Sequence, residues 1–338
     1  MARFLIRRTL LGLLVVAGVL ALTFLIARVV PGDPAASWAG PHASPQQLAK
    51  ARSALGLDKS APAQIVDYFS GIVSGDWGTS IHTRRPVLDD LGTRLPPSIQ
   101  LVVAGLILAL VIGIPLGIVS AVWRGRLPDF FGRIVAVAGV SMPVFWLALL
   151  LQLLFFQRLH LLPVAGQYDP GLDDTNPLTT ITNMTVVDAA ITGNFAVLGS
   201  ALEHLVLPAV VIAAYPAGLV ARMVRGSLLE TMGETHIRMV RALGFPEWQV
   251  YLRFALKPAL NPVISILGLV FAYSLTNTFL VEAIFNWPGI GSYAADSVQS
   301  LDTPSIVGVA LVVALLYVAA NFIVDVVQAS LDPRIRLR

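Results

Sequence analysis

The stretch SIQLVVAGLILALVIGIPLGIVSAV, from Ser98 to Val122, holds no Asp, Glu, Lys, Arg or His across its 25 residues. A bilayer core about 30 Å thick is crossed by roughly 20 apolar residues in a helix, which alone bonds its own amides where water is missing. This stretch meets that length, and five others do so around it. The sequence predicts an all-α chain crossing the membrane about six times, approximately at Thr9 to Val30, Ser98 to Val122, Ile134 to Phe156, Leu205 to Arg222, Ala259 to Phe285 and Ser305 to Gln328.

Composition points the same way. Of 338 residues 56% are hydrophobic and 13% charged, with a mean hydropathy of +0.76, outside the range of a water-soluble core. The absence of Cys removes disulfides, thiolate metal sites and cysteine nucleophiles together. His42, His82, His160, His204 and His236 show no ligand spacing, so no metal site is expected. The net charge of +3 does not mark a nucleic-acid binder, because the basic residues cluster at the ends of the apolar runs.

Those basic residues set an orientation. With the N-terminus inside, the inner segments carry fifteen of the 23 Lys and Arg residues, so both termini are expected to be cytoplasmic. The first apolar run follows Arg3, Arg7 and Arg8 as a cleaved signal would, but exceeds the usual signal core of about 7 to 15 residues; it reads as a retained anchor. The chain then divides into a first span at 1–30, an outer segment at 31–97, a membrane core at 98–328 that includes an inner loop at 225–258, and a tail at 329–338.

The outer segment opens a helix at Ser44-Pro45-Gln46-Gln47, where Ser caps, Pro suits the first turn and Gln completes a capping box. Gly56 is placed to stop it. Ile65, Tyr68, Phe69 and Ile72 share one face of a second helix, expected to lie on the membrane or on neighbouring spans. The stretch from Leu161 to Ser200 is rich in Asp, Thr, Gly and Pro and is expected to be irregular.

The inner loop is patterned. Leu228, Leu229, Met232, His236, Met239 and Leu243 recur at helical steps, with Arg238 and Arg241 on another face. Gly244 ends this helix, and Phe245-Pro246-Glu247-Trp248 restarts one with an acid in its first turn. The pattern fits two readings: a hairpin that docks into a cleft on a cytoplasmic partner, or an amphipathic hairpin lying on anionic lipid.

Arg238-Met239-Val240-Arg241-Ala242-Leu243-Gly244, followed by Leu256-Lys257-Pro258-Ala259-Leu260-Asn261-Pro262-Val263, resembles the cytoplasmic signature loop of binding-protein-dependent ABC importers, in the version seen in dipeptide and oligopeptide permeases. The likeness extends in order through Leu55-Gly56-Leu57-Asp58, Gly75-Asp76-Trp77-Gly78-Thr79-Ser80, Arg94-Leu95-Pro96-Pro97, Gly113-Ile114-Pro115-Leu116-Gly117, Phe285-Asn286-Trp287-Pro288-Gly289-Ile290-Gly291 and Leu331-Asp332-Pro333-Arg334. The resemblance implies a type I importer permease in a bacterial inner membrane. Its partners would be a second homologous permease subunit, two cytoplasmic ATPases that bind ATP and Mg, and an external solute-binding protein. It also implies ATPase coupling through Thr235, Arg238, Met239, Val240, Arg241, Ala242 and Gly244. Arg238 stands where the general signature has Glu, Met239 and Val240 are bulkier than the usual small residues, and Leu243 replaces a frequent Lys.

No Gly-x-x-x-x-Gly-Lys-Ser/Thr loop occurs in the chain, so it is expected to hold no cofactor of its own and to be no enzyme alone. Among polar residues in the spans, Ser141, Gln152, Ser274, Asn277 and Glu282 are candidates to line a path for a polar solute; the same residue types also bind helices together. Pro143, Pro208 and Pro216 are candidates for kinks or gates. A proton-coupled secondary transporter is the rival reading, with Glu282 or Asp325 as relay, but neither acid sits centrally in a span and no inverted repeat is evident.

Overall fold

A computed structural model describes residues 2–29, 35, 39–40, 43–54 and 58–331. Gly56 and the end of the tail, from residue 332, lie outside them. Among the described residues five helices are long and apolar enough to cross a membrane, or six if one bent pair counts as a span. The chain forms two compact units, residues 1–96 with 289–319 and residues 97–288 with 320–338.

The first unit contains α1 (Ala2–Val29), α2 (Pro45–Ala54) and α3 (Ala61–Ser74). The capping box forms as the local sequence dictates: Gln47 N donates to Ser44 Oγ at 3.3 Å, and Ser44 N donates to Gln47 Oε1 at 2.8 Å. Helix α3 lays Tyr68 on α1, with its ring 5.9 Å from Phe24. A loop then folds over buried Asp302, which accepts from Ser80 Oγ at 2.5 Å, from His82 N at 3.2 Å and from Ser305 N at 3.3 Å. Tyr293, on α13 (Ile290–Gln299), donates to Ser305 Oγ at 2.7 Å, close to the start of α14 (Thr303–Leu331).

The long helix α4 (Val87–Val122) starts among the residues of the first unit and carries its apolar run, from Ser98 onward, in the second. After it come α5 (Leu127–Ser141), α6 (Val144–Leu151) with a π-turn at Gln152–Arg158, α7 (Thr185–Ile191), α8 (Phe195–Thr231), α9 (Thr235–Ala242), α10 (Glu247–Gln249), α11 (Leu256–Ala259) and α12 (Asn261–Ile284). The expected single span from Ile134 to Phe156 is two helical pieces bent by 109°. Met142 (ψ 130°) and Pro143 (ψ 134°) are both extended, because a proline forces the residue before it out of the α region and removes a donor. Pro208 and Pro216 also lack an amide donor, yet α8 runs through both unbroken.

Small residues let the helices of this unit touch backbone to backbone, the usual packing device between spans. A Cβ on Gly139 would stand 2.5 Å from Ala214 O, and one on Gly218 2.4 Å from Ala136 O, which presses α5 onto α8. Gly117 does the same for α4, where a Cβ would stand 2.7 Å from Ala221 O. Leu101, Leu207, Val211, Val281, Phe285 and Trp287 form the apolar core, and Trp287 Nε1 donates to Pro97 O at 3.0 Å.

Candidate functional site

Helix α8 ends at Thr231, and a turn through Met232 and Gly233 to extended Glu234 (ψ 154°) separates it from α9. The turn resets the helical phase, so the expected continuous stripe from Leu228 to Leu243 does not form. Instead Ile237 and Val240 point inward and are buried with Leu228, Val250, Ala255, Ala259 and Ala121. Met239 and Leu243 face out at 60% and 68% exposure, and Thr235, Arg238, Arg241, Ala242 and Gly244 are exposed with them.

Gly244 takes φ +83° and donates its N–H to Arg241 O at 2.9 Å, closing the helix in the left-handed conformation that favours glycine. Across this turn Arg241 forks onto Glu247, with Nε to Oε1 at 2.9 Å and Nη2 to Oε2 at 3.2 Å. That hydrogen-bonded pairing raises the guanidinium pKa further. Phe245 meets Phe254 edge to face at 5.1 Å, while Trp248 projects at 63% exposure. A π-turn at Val250–Ala255 then leads to α11 and α12. One side of the hairpin is thus fastened into the unit, and the other offers apolar side chains beside bases.

The five polar candidates separate by environment. Gln152 Nε2 donates to Val164 O at 2.9 Å and Ile284 O at 3.3 Å, and Glu282 is fully buried and accepts from Ser98 Oγ at 2.5 Å. Each bond joins the end of α12 to another segment, Gln152 through Ile284 O and Glu282 through Ser98. Ser274 is 1% exposed, and its Oγ has no hydrogen-bond partner among the described residues. One turn on, Asn277 Nδ2 donates to Tyr273 O at 2.9 Å. Tyr273 stacks on Tyr215 of α8, with ring centroids 4.2 Å apart. Ser141 is exposed at the bend and is not brought to the others.

Two features escaped the sequence reading. One is the Tyr215–Tyr273 stack. The other is Asp129 on α5, buried and gripped by Arg225 of α8 at 2.8 and 3.0 Å. A lone acid among Arg124, Arg126 and Arg133 was the available signal. Among the described residues, no group of three or more His, Cys, Asp or Glu is placed to hold a metal.

Residues 113–337 match the family described as binding-protein-dependent transport system inner membrane component, and residues 1–102 match the N-terminal component of such systems. The chain is 45% identical over 322 residues to the probable D,D-dipeptide transport system permease protein DdpB of Escherichia coli (strain K12), covering 95% of this chain and 94% of that protein. It is 36% identical over 339 residues to the dipeptide transport system permease protein DppB of the same strain, covering 99% of each. To the glutathione transport system permease protein GsiC of Salmonella typhimurium it is 34% identical over 339 residues, covering all of both chains. The helices long enough to span, the fastened hairpin and these matches agree: the chain belongs to the binding-protein-dependent transport system inner membrane component family, as a multi-pass permease subunit of an ABC importer.

Proposed function

We propose that this permease forms half of a translocation path for short peptides or a related small solute, with both termini cytoplasmic and the α9 hairpin gripped by partner ATPases. The observation that carries the reading is the two-sidedness of the hairpin: Ile237 and Val240 fix it to the unit, while Met239, Leu243 and Trp248 stand in the open. A protruding element with a fixed root and an apolar tip transmits a push. Thr235, Arg238, Met239, Arg241 and Ala242 would meet the ATPase, Val240 would anchor the helix from beneath, and Gly244 would set the turn.

ATP and Mg belong to two partner ATPases in this reading, and a second permease subunit completes the path. An external solute-binding protein supplies the solute. Dipeptide, D,D-dipeptide and glutathione in the names of the relatives support a short peptide as cargo. Ser274, Asn277 and, apart from them, Ser141 are the proposed path residues; Gln152 and Glu282 brace the end of α12.

Cross-linking from a cysteine at Arg241 in native membranes tests the central claim. An ATPase subunit captured in a nucleotide-dependent way is the expected outcome. Capture of lipid alone under every nucleotide condition would overturn it.

A further inference from the structure

The hairpin core rests on two helix ends. Ala121, next to last in α4, and Leu228, near the end of α8, both lie in the apolar cluster that holds Ile237, Val240 and Val250. A polar tie joins those same two ends. Asp129, in the first turn of α5, is 1% exposed. It accepts from Arg225 Nε at 2.8 Å and Nη2 at 3.0 Å, and from Gly125 N at 2.9 Å, with Arg133 Nε at 3.5 Å. Gly125 lies in the turn leaving α4, four residues after Ala121, and Arg225 lies three residues before Leu228. Helix α5 is itself seated on α4, since a Cβ on Gly132 would stand 2.2 Å from Ser120 Oγ.

A buried ion pair adds little net stability over apolar packing of the same volume, so stability alone does not account for this one. What a two-pronged guanidinium–carboxylate pair fixes is direction as well as distance. We propose that Asp129 and Arg225 are positioning residues for energy coupling, tying the ends of α4 and α8 into one platform beneath the hairpin. This deepens the coupling role proposed above and rests on it. With the tie in place, a displacement of α9 turns both helices together. Without it, the hairpin keeps its grip on the ATPases but the motion is lost at the joint between α4 and α8, and ATP is hydrolysed without uptake.

The test uses the complete transporter, purified with its ATPases and solute-binding protein and reconstituted in liposomes. Uptake of labelled L-alanyl-L-alanine, D-alanyl-D-alanine and glutathione is measured together with ATP hydrolysis. Asp129→Asn is expected to retain its ATPases and solute KM while solute moved per ATP falls about tenfold, within the range by which residues of a coupling network act. Arg225→Lys keeps the positive charge but not the fork, and is expected to fall between Asp129→Asn and wild type. If Arg225 served only membrane topology, Lys would replace it silently. An unchanged ratio in Arg225→Lys overturns the proposal, even where Asp129→Asn fails to assemble. Wild-type chains that bring no ATPase through purification overturn the coupling reading as well, which separates the two failures.

Discussion

Ser98 hydrogen-bonds Glu282 across 184 residues of chain, donating at 2.5 Å to a carboxyl group that is wholly buried. The contact ties the start of the apolar run of α4 to the end of α12 and withdraws Glu282 from any solute in this conformation. Ser98→Ala is expected to destabilise the protein by about 0.5–1.5 kcal/mol, the net worth of one intramolecular hydrogen bond. Thermal unfolding in detergent reads this, while the KM for uptake should stay unchanged. A raised KM with unaltered stability would instead place Glu282 on the path.

Gly244 has φ +83°, and a Cβ there would meet nothing within 4 Å. Substitution therefore acts through the backbone alone. Gly244→Val is expected to introduce about 1–2 kcal/mol of local strain, tilting the hairpin tip and lowering uptake per ATP. Gly244→Asn, which accepts this conformation more readily, should retain most coupling. Equal coupling in the Val variant and wild type would remove the turn from the mechanism.

The two sides of the hairpin are expected to respond differently. Replacing exposed Met239, Leu243 or Trp248 with Ser should leave the melting temperature nearly unchanged and reduce the ATPase that co-purifies. Ile237→Ala empties a fully buried position and should destabilise by about 2–5 kcal/mol. If the Ser variants retained ATPase as well as wild type does, the exposed apolar tip would not be the gripped surface.

Asp188, at the start of α7, anchors the loop at Ile181 and Thr182. Burial pushes its pKa up, but the Thr182 hydroxyl and the backbone N–H groups of Thr182, Ile181 and Asn183 outweigh burial and hold it below the ordinary carboxylate range. An acid depressed in the folded state stabilises above its unfolded pKa of about 3.9, and that contribution is lost as pH falls through the folded value. Acid melting of the loop is therefore expected below about pH 4, and Asp188→Asn should flatten that limb. Hydrogen exchange at Thr182 N–H, 2.8 Å from the carboxylate, reports it directly.

What the sequence disclosed was local or periodic. Ser44 and Gln47 sit three residues apart, so their capping box was readable from spacing, as was the end of α9 at Gly244. Span length was readable because hydropathy adds along a chain, but hydropathy carries no direction: the run from Ile134 to Phe156 looks continuous although Met142 and Pro143 turn it by 109°. The stripe from Leu228 to Leu243 misled for a related reason, since Gly233 breaks the helix and Ile237 and Val240 take the inward positions. The grip of Arg225 on Asp129 joins residues 96 apart. No window along the chain reveals such a pair.

The bend at Met142–Pro143 has a consequence for biogenesis. An insertion machine reading hydrophobicity as the chain emerges meets Ile134 to Phe156 as a single greasy rod. The surfaces that press α5 against α8, Ala214 and Gly218, are synthesised only later. Maturation of the bent pair must then wait for α8, and nascent chains halted at Asn194 should label differently at a Ser141→Cys probe from completed ones. Identical labelling would mean that Pro143 alone makes the bend.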